Sequence, residues 1–171
     1  MAKPLLIIGG QPVFLPEFRL FYDAVRSNVA GEFYRNYGTQ PDREFWHKVF
    51  PEGTPLAVAE KRALSALREW HATLELFRQE GLILTTGWPA FLARLSAENT
   101  RRTRLLAESL PVYGPKQLTR AMYLSYERDL LWAKIRRKYP EGVLVQRRNI
   151  LARELMICIL SSPGEAAEPF I

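Results

Sequence analysis

The sequence predicts a mainly α-helical fold, a compact bundle of about six helices with a short two-stranded β ribbon. Three observations predict this class. Prolines precede several helix-like runs, where their fixed φ suits the first helical turn. Apolar residues recur at three- and four-residue spacing through most of the chain. Of the 171 residues, 47% are apolar and 25% charged, which is an ordinary globular composition.

The first three helices are predicted from their apolar stripes. The first spans residues 16–37, with Phe18, Phe21, Tyr22, Val25, Val29, Phe33 and Tyr37 on one face. A short helix follows at residues 41–50. The third, at residues 55–80, has the strongest pattern, because Thr54 is a suitable N-cap and one face is apolar from Leu56 to Phe77.

Three further helices are predicted in the second half. The fourth begins near Pro89 and continues, or restarts, at Ser96. The fifth covers residues 115–139, with Met122, Tyr123, Tyr126, Leu130 and Ala133 sharing a face. The sixth, at residues 143–161, is apolar nearly all round at its C-terminal end, so we expect it to be the central core helix. Cys158 within it is expected to be a small buried hydrophobe.

The remaining segments are predicted to be extended. Residues 82–86, "LILTT", read as a strand that pairs with "LLII" at residues 5–8 to form the ribbon. Residues 1–161 are expected to form a single helical domain. Residues 162–171 lack periodicity and contain two prolines, so they are expected to form an extended C-terminal tail.

Composition also indicates where in the cell the protein is expected. The longest aliphatic run, residues 155–160, is too short to cross a bilayer, and the N-terminal segment lacks the features of a signal peptide. We therefore expect a cytoplasmic protein without membrane contact. One cysteine excludes an internal disulfide. Arginine outnumbers lysine 18 to 6 and glutamate outnumbers aspartate 15 to 3, which suggests a thermophilic source.

The net charge of +6 lies entirely in the second half of the chain. Residues 1–85 carry ten basic and ten acidic residues, whereas residues 86–171 carry fourteen basic and eight acidic ones. Such asymmetry is typical of a protein that meets an anionic partner through one region only. An incidental basic surface that aids solubility is the alternative interpretation.

The densest basic stretch is "LLWAKIRRKYPEGVLVQRRNIL", residues 130–151. We predict an αα-hairpin that turns across "YPEGV". Cations at the end of its first helix complement the helix dipole, but Arg147 and Arg148 lie near a helix N-terminus, where positive charge is unfavourable. An anion should offset them: phosphate, a partner's carboxylates or the protein's own acids. The candidate binding residues are Lys134, Arg136, Arg137, Lys138, Arg147 and Arg148.

A second basic group is "NTRRTR", which contains Arg101, Arg102 and Arg104. Helical spacing puts Arg101 and Arg104 on one face with Arg94, Glu98 and Glu108, the pattern of an exposed ion-pair ladder. Arg102 is predicted to point elsewhere and to meet a partner. These three arginines are the secondary candidates for binding.

No motif indicates catalysis. The chain has no phosphate-binding glycine loop, and no Ser–His–acid set stands out. Glu44 and His47, and His71 and Glu75, have metal-ligand spacing, but a di-iron bundle needs two complete Glu-x-x-His pairs and further glutamates. We therefore expect no enzyme activity, no metal and no cofactor, and retain a small metal-dependent hydrolase as a third hypothesis.

The leading hypothesis is a non-enzymatic helical protein that contacts the phosphate backbone of nucleic acid through its basic C-terminal half. The alternative is an assembly or adaptor subunit, of a virion or another multiprotein machine, which docks on an acidic protein surface. In that case Phe170 and Ile171 of the tail are the predicted docking residues, the protein could lie in a virion, and it could form a homo-oligomer or a larger assembly.

Overall fold

A computed structural model describes residues 3–160 and confirms the mainly α fold with a small β element. Within those residues there are five α-helices, one 3-10 turn at Phe45–His47 and a three-stranded antiparallel sheet. The helices are α1 (Leu15–Tyr37), α2 (Pro55–Gln79), α3 (Trp88–Ala107), α4 (Arg120–Ile135) and α5 (Glu141–Glu154). The strands are β1 (Leu6–Ile8), β2 (Gln11–Val13) and β3 (Ile157–Ile159).

The chain divides into two compact units. The first contains the residues up to Ala72 together with those from Ala152 onward, and the second is Thr73–Leu151. The expectation that residues 1–161 fold as a single domain stays a prediction. The predicted tail, with Phe170 and Ile171, lies outside the described residues.

The sheet of the first unit corrects the predicted ribbon. Strand β1 is central and pairs with β2 and β3, not with residues 82–86, which contain no strand. The hairpin from β1 to β2 turns through Gly9 and Gly10, whose φ angles of 53° and 80° match a type I′ turn. The pairing of β1 with β2 closes only a two-residue turn, which costs less conformational entropy than closing the long loop to residues 82–86.

The predicted sixth helix is also wrong in its second half. Helix α5 ends at Glu154, and the β-branched pair Ile157 and Ile159 enters strand β3. Only Leu144 and Ala152 of α5 are buried, so α5 is not the central core helix. Cys158, expected to be buried, is exposed.

The helical part of the first unit follows the sequence prediction closely. Helix α1 buries most of the predicted apolar stripe, including Phe18 and Phe33, whereas Val25 is only partly buried and Tyr37 is exposed. It also buries Glu17, which the pattern did not include, and the Glu17 carboxylate lies 2.9 Å from Nε2 of His71 on α2. The short helix predicted at residues 41–50 is reduced to the 3-10 turn.

In the second unit, the buried face of α4 differs from the face that the sequence predicted. The buried residues of this helix are Tyr123, Glu127, Leu131 and Ile135, whereas Met122 and Leu130 are exposed. Glu127 is only 4% exposed and receives two hydrogen bonds from the Arg94 guanidinium, at 2.5 and 3.1 Å. Glu127, paired with Arg94, therefore occupies a core position on α4. The apolar pattern had assigned the core face of this helix to apolar neighbours of Glu127.

Between residues 3 and 160, no helix combines the length and apolar character that a membrane span requires.

Candidate functional site

The candidate site is a cleft of about 350 Å³ in the second unit, where the end of α4 meets the start of α5. We call it the arginine cleft. Three arginines surround an apolar floor of one tryptophan and one valine, and two carboxylates stand among them. The lining residues are Arg128, Asp129, Trp132, Arg136, Glu141, Val145 and Arg148.

Helical spacing explains why these side chains converge. Arg128, Trp132 and Arg136 recur every four residues along α4 and its C-cap, so they form one stripe. Glu141, Val145 and Arg148 form the corresponding stripe on α5. The connection between the helices covers residues 136–140, and Pro140 immediately precedes α5.

The arginines of the cleft have weak internal partners. Arg136 donates to Glu141 at 3.1 Å, and Arg128 donates to Asp129 at 3.0 Å. Arg148 donates to the side-chain carbonyl of Asn149 at 3.0 Å. Exposed pairs of this kind contribute about 0–1 kcal/mol each to folding. A carboxylate from outside could therefore replace them at little cost.

Arg147 has a different environment from its neighbour Arg148. Its guanidinium donates to Glu80 at 2.7 Å and lies over the Tyr139 ring at 5.4 Å. Lys138 lies 3.9 Å from the other oxygen of Glu80. The hydrogen bond from Arg147 lowers the pKa of Glu80 below its ordinary value. The protein's own acid thus supplies the anion that the sequence predicted near Arg147.

The second basic group, on α3, is occupied by internal partners. Arg101 donates to Glu98 at 2.7 Å, and Arg104 lies 3.8 Å from Glu108, as the ion-pair ladder predicted, whereas Arg94, also predicted in that ladder, pairs with Glu127 of α4. The hydrogen bonds from Arg101, with those from Arg102, hold the pKa of Glu98 below its ordinary value.

Arg102 does not point outward as predicted. It is 4% exposed, donates to Glu98 at 2.8 Å and donates to the backbone carbonyls of Tyr113 and Pro115 at 3.1 and 2.7 Å. Its guanidinium also lies 5.4 Å from the centre of the Tyr126 ring. Arg102 therefore ties the segment after α3 to that helix.

The last two predicted residues, Lys134 and Arg137, are exposed and have no carboxylate within 4.0 Å among residues 3–160. Helical spacing places Lys134 with Leu130, on a different side of α4 from Trp132, and Arg137 follows in the turn after the helix. The structure thus divides the predicted basic stretch into three parts: the arginine cleft, the Glu80 contacts, and this exposed flank.

Two of the four residues considered for metal binding, His71 and Glu75, have other partners. His71 faces Glu17, and Glu75 accepts hydrogen bonds from Arg78 at 2.6 and 2.7 Å. His47 is exposed. In the part of the chain that the structure describes, no three His, Cys, Asp or Glu residues are grouped as metal ligands would be.

Sequence reasoning missed several residues of the site. Arg128 and Trp132 belong to the cleft, and their four-residue spacing to Arg136 would have indicated it. Glu80 is 67 residues away from Arg147, so no local signal pointed to that pair.

Comparison with known proteins finds a distant relative. The chain is 25% identical over 128 residues to the "Chaperone for lacto-N-biosidase" of Bifidobacterium longum subsp. longum. The match covers 75% of this chain and 46% of that relative, so the chain spans less than half of the relative's length. No family model matches the sequence. No solved structure matches it either.

Proposed function

We propose that this chain is a chaperone-type or adaptor protein that binds a partner polypeptide, and that the arginine cleft receives acidic side chains of that partner. The single observation that carries the proposal is the arrangement of Arg128, Arg136 and Arg148 around Trp132 in one open cleft. The chaperone role in the name of the distant relative supports a partner that is a protein.

The chemistry of the cleft favours carboxylates. A guanidinium presents paired N–H donors that match the two oxygens of a carboxylate, and such charge-assisted hydrogen bonds are stronger than neutral ones. The internal pairs of Arg136 and Arg128 are exposed, so their replacement by a partner's carboxylates costs little. The cleft therefore has the chemistry to exchange its own acids for those of a partner.

The floor of the cleft adds an apolar contact. Trp132 and Val145 are partly exposed between the arginines. Tryptophan and arginine are the residue types that most often dominate binding energy at protein interfaces. A partner segment that carries acidic and apolar residues together would use both features.

Nucleic acid is the second candidate, and one observation favours it. Lys134 and Arg137 lack internal carboxylate partners among the described residues and stand in the basic half of the chain. Such cations are suited to phosphate contacts that are insensitive to base sequence and sensitive to salt.

Binding of three fluorescein-labelled probes to the full chain tests the proposal. The probes are an unstructured peptide rich in Glu and Leu, the same peptide with Gln in place of Glu, and duplex DNA. We expect the Glu peptide to bind at least about tenfold tighter than the Gln peptide, because two charge-assisted contacts at about 1.5–3 kcal/mol each are lost. Equal affinity for the two peptides, or tighter binding of DNA than of the Glu peptide, would contradict it.

A further inference from the structure

Strand β3 has an open outer edge. Leu160 donates its N–H to the carbonyl of Leu5, and Gly9 donates to the carbonyl of Met156, both at 3.0 Å. In an antiparallel ladder these bonds make Ile7 and Cys158 the pair that exchanges both hydrogen bonds. The N–H and C=O groups of Ile157 and Ile159 therefore point away from β1. Within residues 3–160, no strand pairs with that edge.

The opposite edge of the sheet is blocked. Pro12 of β2 lies opposite Ile7 of β1. Because Ile7 directs its main-chain groups to β3, the alternation places Pro12 at an outward position of β2, where a proline offers no N–H. Proline at such a position is a common means of preventing strand addition. The sheet can therefore grow at β3 and not at β2.

The open edge is apolar and carries no charge. Residues 156–160 read Met-Ile-Cys-Ile-Leu. Met156 is 82% exposed and Ile159 is 53% exposed. Natural edge strands usually carry a charged residue or a bulge that discourages pairing, and the described edge has neither.

We propose that the outer edge of β3 pairs with β3 of a second copy of this chain, antiparallel and across a two-fold axis. Ile157 and Ile159 are each one residue from Cys158. A 180° rotation about an axis through Cys158 therefore places each outward N–H of Ile157 and Ile159 opposite an outward C=O of the second copy. Ile157 then faces Ile159 of the second copy, Met156 faces Leu160, and the two Cys158 residues face each other.

The uncharged edge permits a second copy as the occupant. No charged side chain lies in residues 156–160, so two identical strands meet without like charges in opposition. Because Pro12 blocks the other edge, pairing stops at two copies and gives a closed dimer. The rest of each copy carries +6, so salt should strengthen the dimer by screening the repulsion between copies.

Sedimentation of the full chain at low and high salt tests whether this dimer forms and whether salt strengthens it. Ile159→Pro removes an outward N–H and leaves the hydrogen bonds between β1 and β3 in place, whereas Ile159→Val keeps that N–H. By symmetry the proline variant loses two hydrogen bonds, so we expect at least about a tenfold weaker dimer, with little change in Ile159→Val. Circular dichroism checks that each variant is folded. If the proline variant does not fold, Ile159→Lys retains the N–H and should disrupt the dimer through like charges.

Disulfide formation between the two Cys158 residues tests the proposed register of the paired β3 strands. Facing residues at a non-hydrogen-bonded position have Cα atoms about 4.5 Å apart, which is within the range for a disulfide. The oxidant diamide takes two electrons and two protons from the two thiols, which form one S–S bond, and is reduced to its hydrazine. We expect a covalent dimer on a non-reducing gel for the wild type and Ile159→Val, and none for Ile159→Pro. A monomer at every concentration, a dimer insensitive to Ile159→Pro, or a dimer that forms only after deletion of residues 161–171 would overturn the proposal.

Discussion

The two basic groups of this protein each contain three arginines but place them in different environments. On α3, Arg101, Arg102 and Arg104 follow or precede a glutamate by three or four residues: Glu98 holds Arg101 and Arg102 at 2.7 and 2.8 Å, and Arg104 has a longer, exposed contact with Glu108 at 3.8 Å. In the arginine cleft, the guanidinium groups of Arg128, Arg136 and Arg148 come from two helices and have exposed, short-range partners.

This comparison teaches that local acid spacing determines whether an arginine is available for binding. A glutamate one helical turn away occupies a guanidinium before any partner arrives. Where helices converge and such glutamates are absent, cations collect around an open cleft. The net charge of a segment therefore overstates its capacity to bind anions.

The largest expected effect concerns Arg102. Arg102→Met should lower the free energy of unfolding by about 2–4 kcal/mol, because Glu98 loses a partner and the carbonyls of Tyr113 and Pro115 lose their donors. Urea denaturation measures the loss. Arg101→Met is the matched control on the same glutamate, and it should cost far less because Arg101 is exposed. Equal losses in the two variants would contradict the distinction between a buried and an exposed pair.

A smaller effect is expected at Glu80. Glu80→Gln should lower the free energy of unfolding by about 1–2 kcal/mol at neutral pH, because Arg147 and Lys138 lose their carboxylate. The pKa of Glu80 is lowered in the folded chain, so its contribution is present above the ordinary glutamate pKa and is lost as the pH falls through the lowered value.

Urea denaturation at neutral pH and at pH about 3 should therefore show a difference between wild type and Glu80→Gln that shrinks in acid. Glu108→Gln serves as the control, because its contact with Arg104 is long and exposed. A difference that stays constant or grows on acidification would show that Glu80 does not act through its charge.

The smallest effect on stability is expected in the cleft itself. Arg136→Ala combined with Arg148→Ala should change the free energy of unfolding by less than about 0.5–1 kcal/mol, because the pairs they break are exposed. The same urea titration measures it. A loss as large as that of Arg102→Met would assign these arginines to the fold and remove the reason to regard them as free for a partner.

The sequence predicted the long helices well because their apolar stripes are regular. The bounds of α1 and α2 agree with the predicted ones to within a residue or two. The later elements were less predictable. Glu127 is polar by type but buried with Arg94, so the buried face of α4 was assigned to the wrong residues. An apolar run that includes Ile157 and Ile159 was assigned to a helix, although β-branched residues favour a strand.

The candidate site was predictable in part. The predicted turn across "YPEGV" joins α4 to α5, and two of the six arginines and lysines proposed there, Arg136 and Arg148, line the cleft. The contacts of Arg147 with Glu80 and of Arg102 with two carbonyls depend on chain segments that fold back from a distance. Periodicity within one helix carries no information about such contacts.

The most direct test of the central claim compares two charge-matched variants for binding of the Glu-rich peptide. One variant combines Arg136→Ala with Arg148→Ala in the cleft, and the other combines Arg101→Ala with Arg104→Ala on α3. Each removes two positive charges. The account predicts at least about a tenfold loss of affinity in the cleft variant and less than about a twofold loss in the α3 variant. Equal losses would contradict it, because total charge and not the cleft would then govern binding.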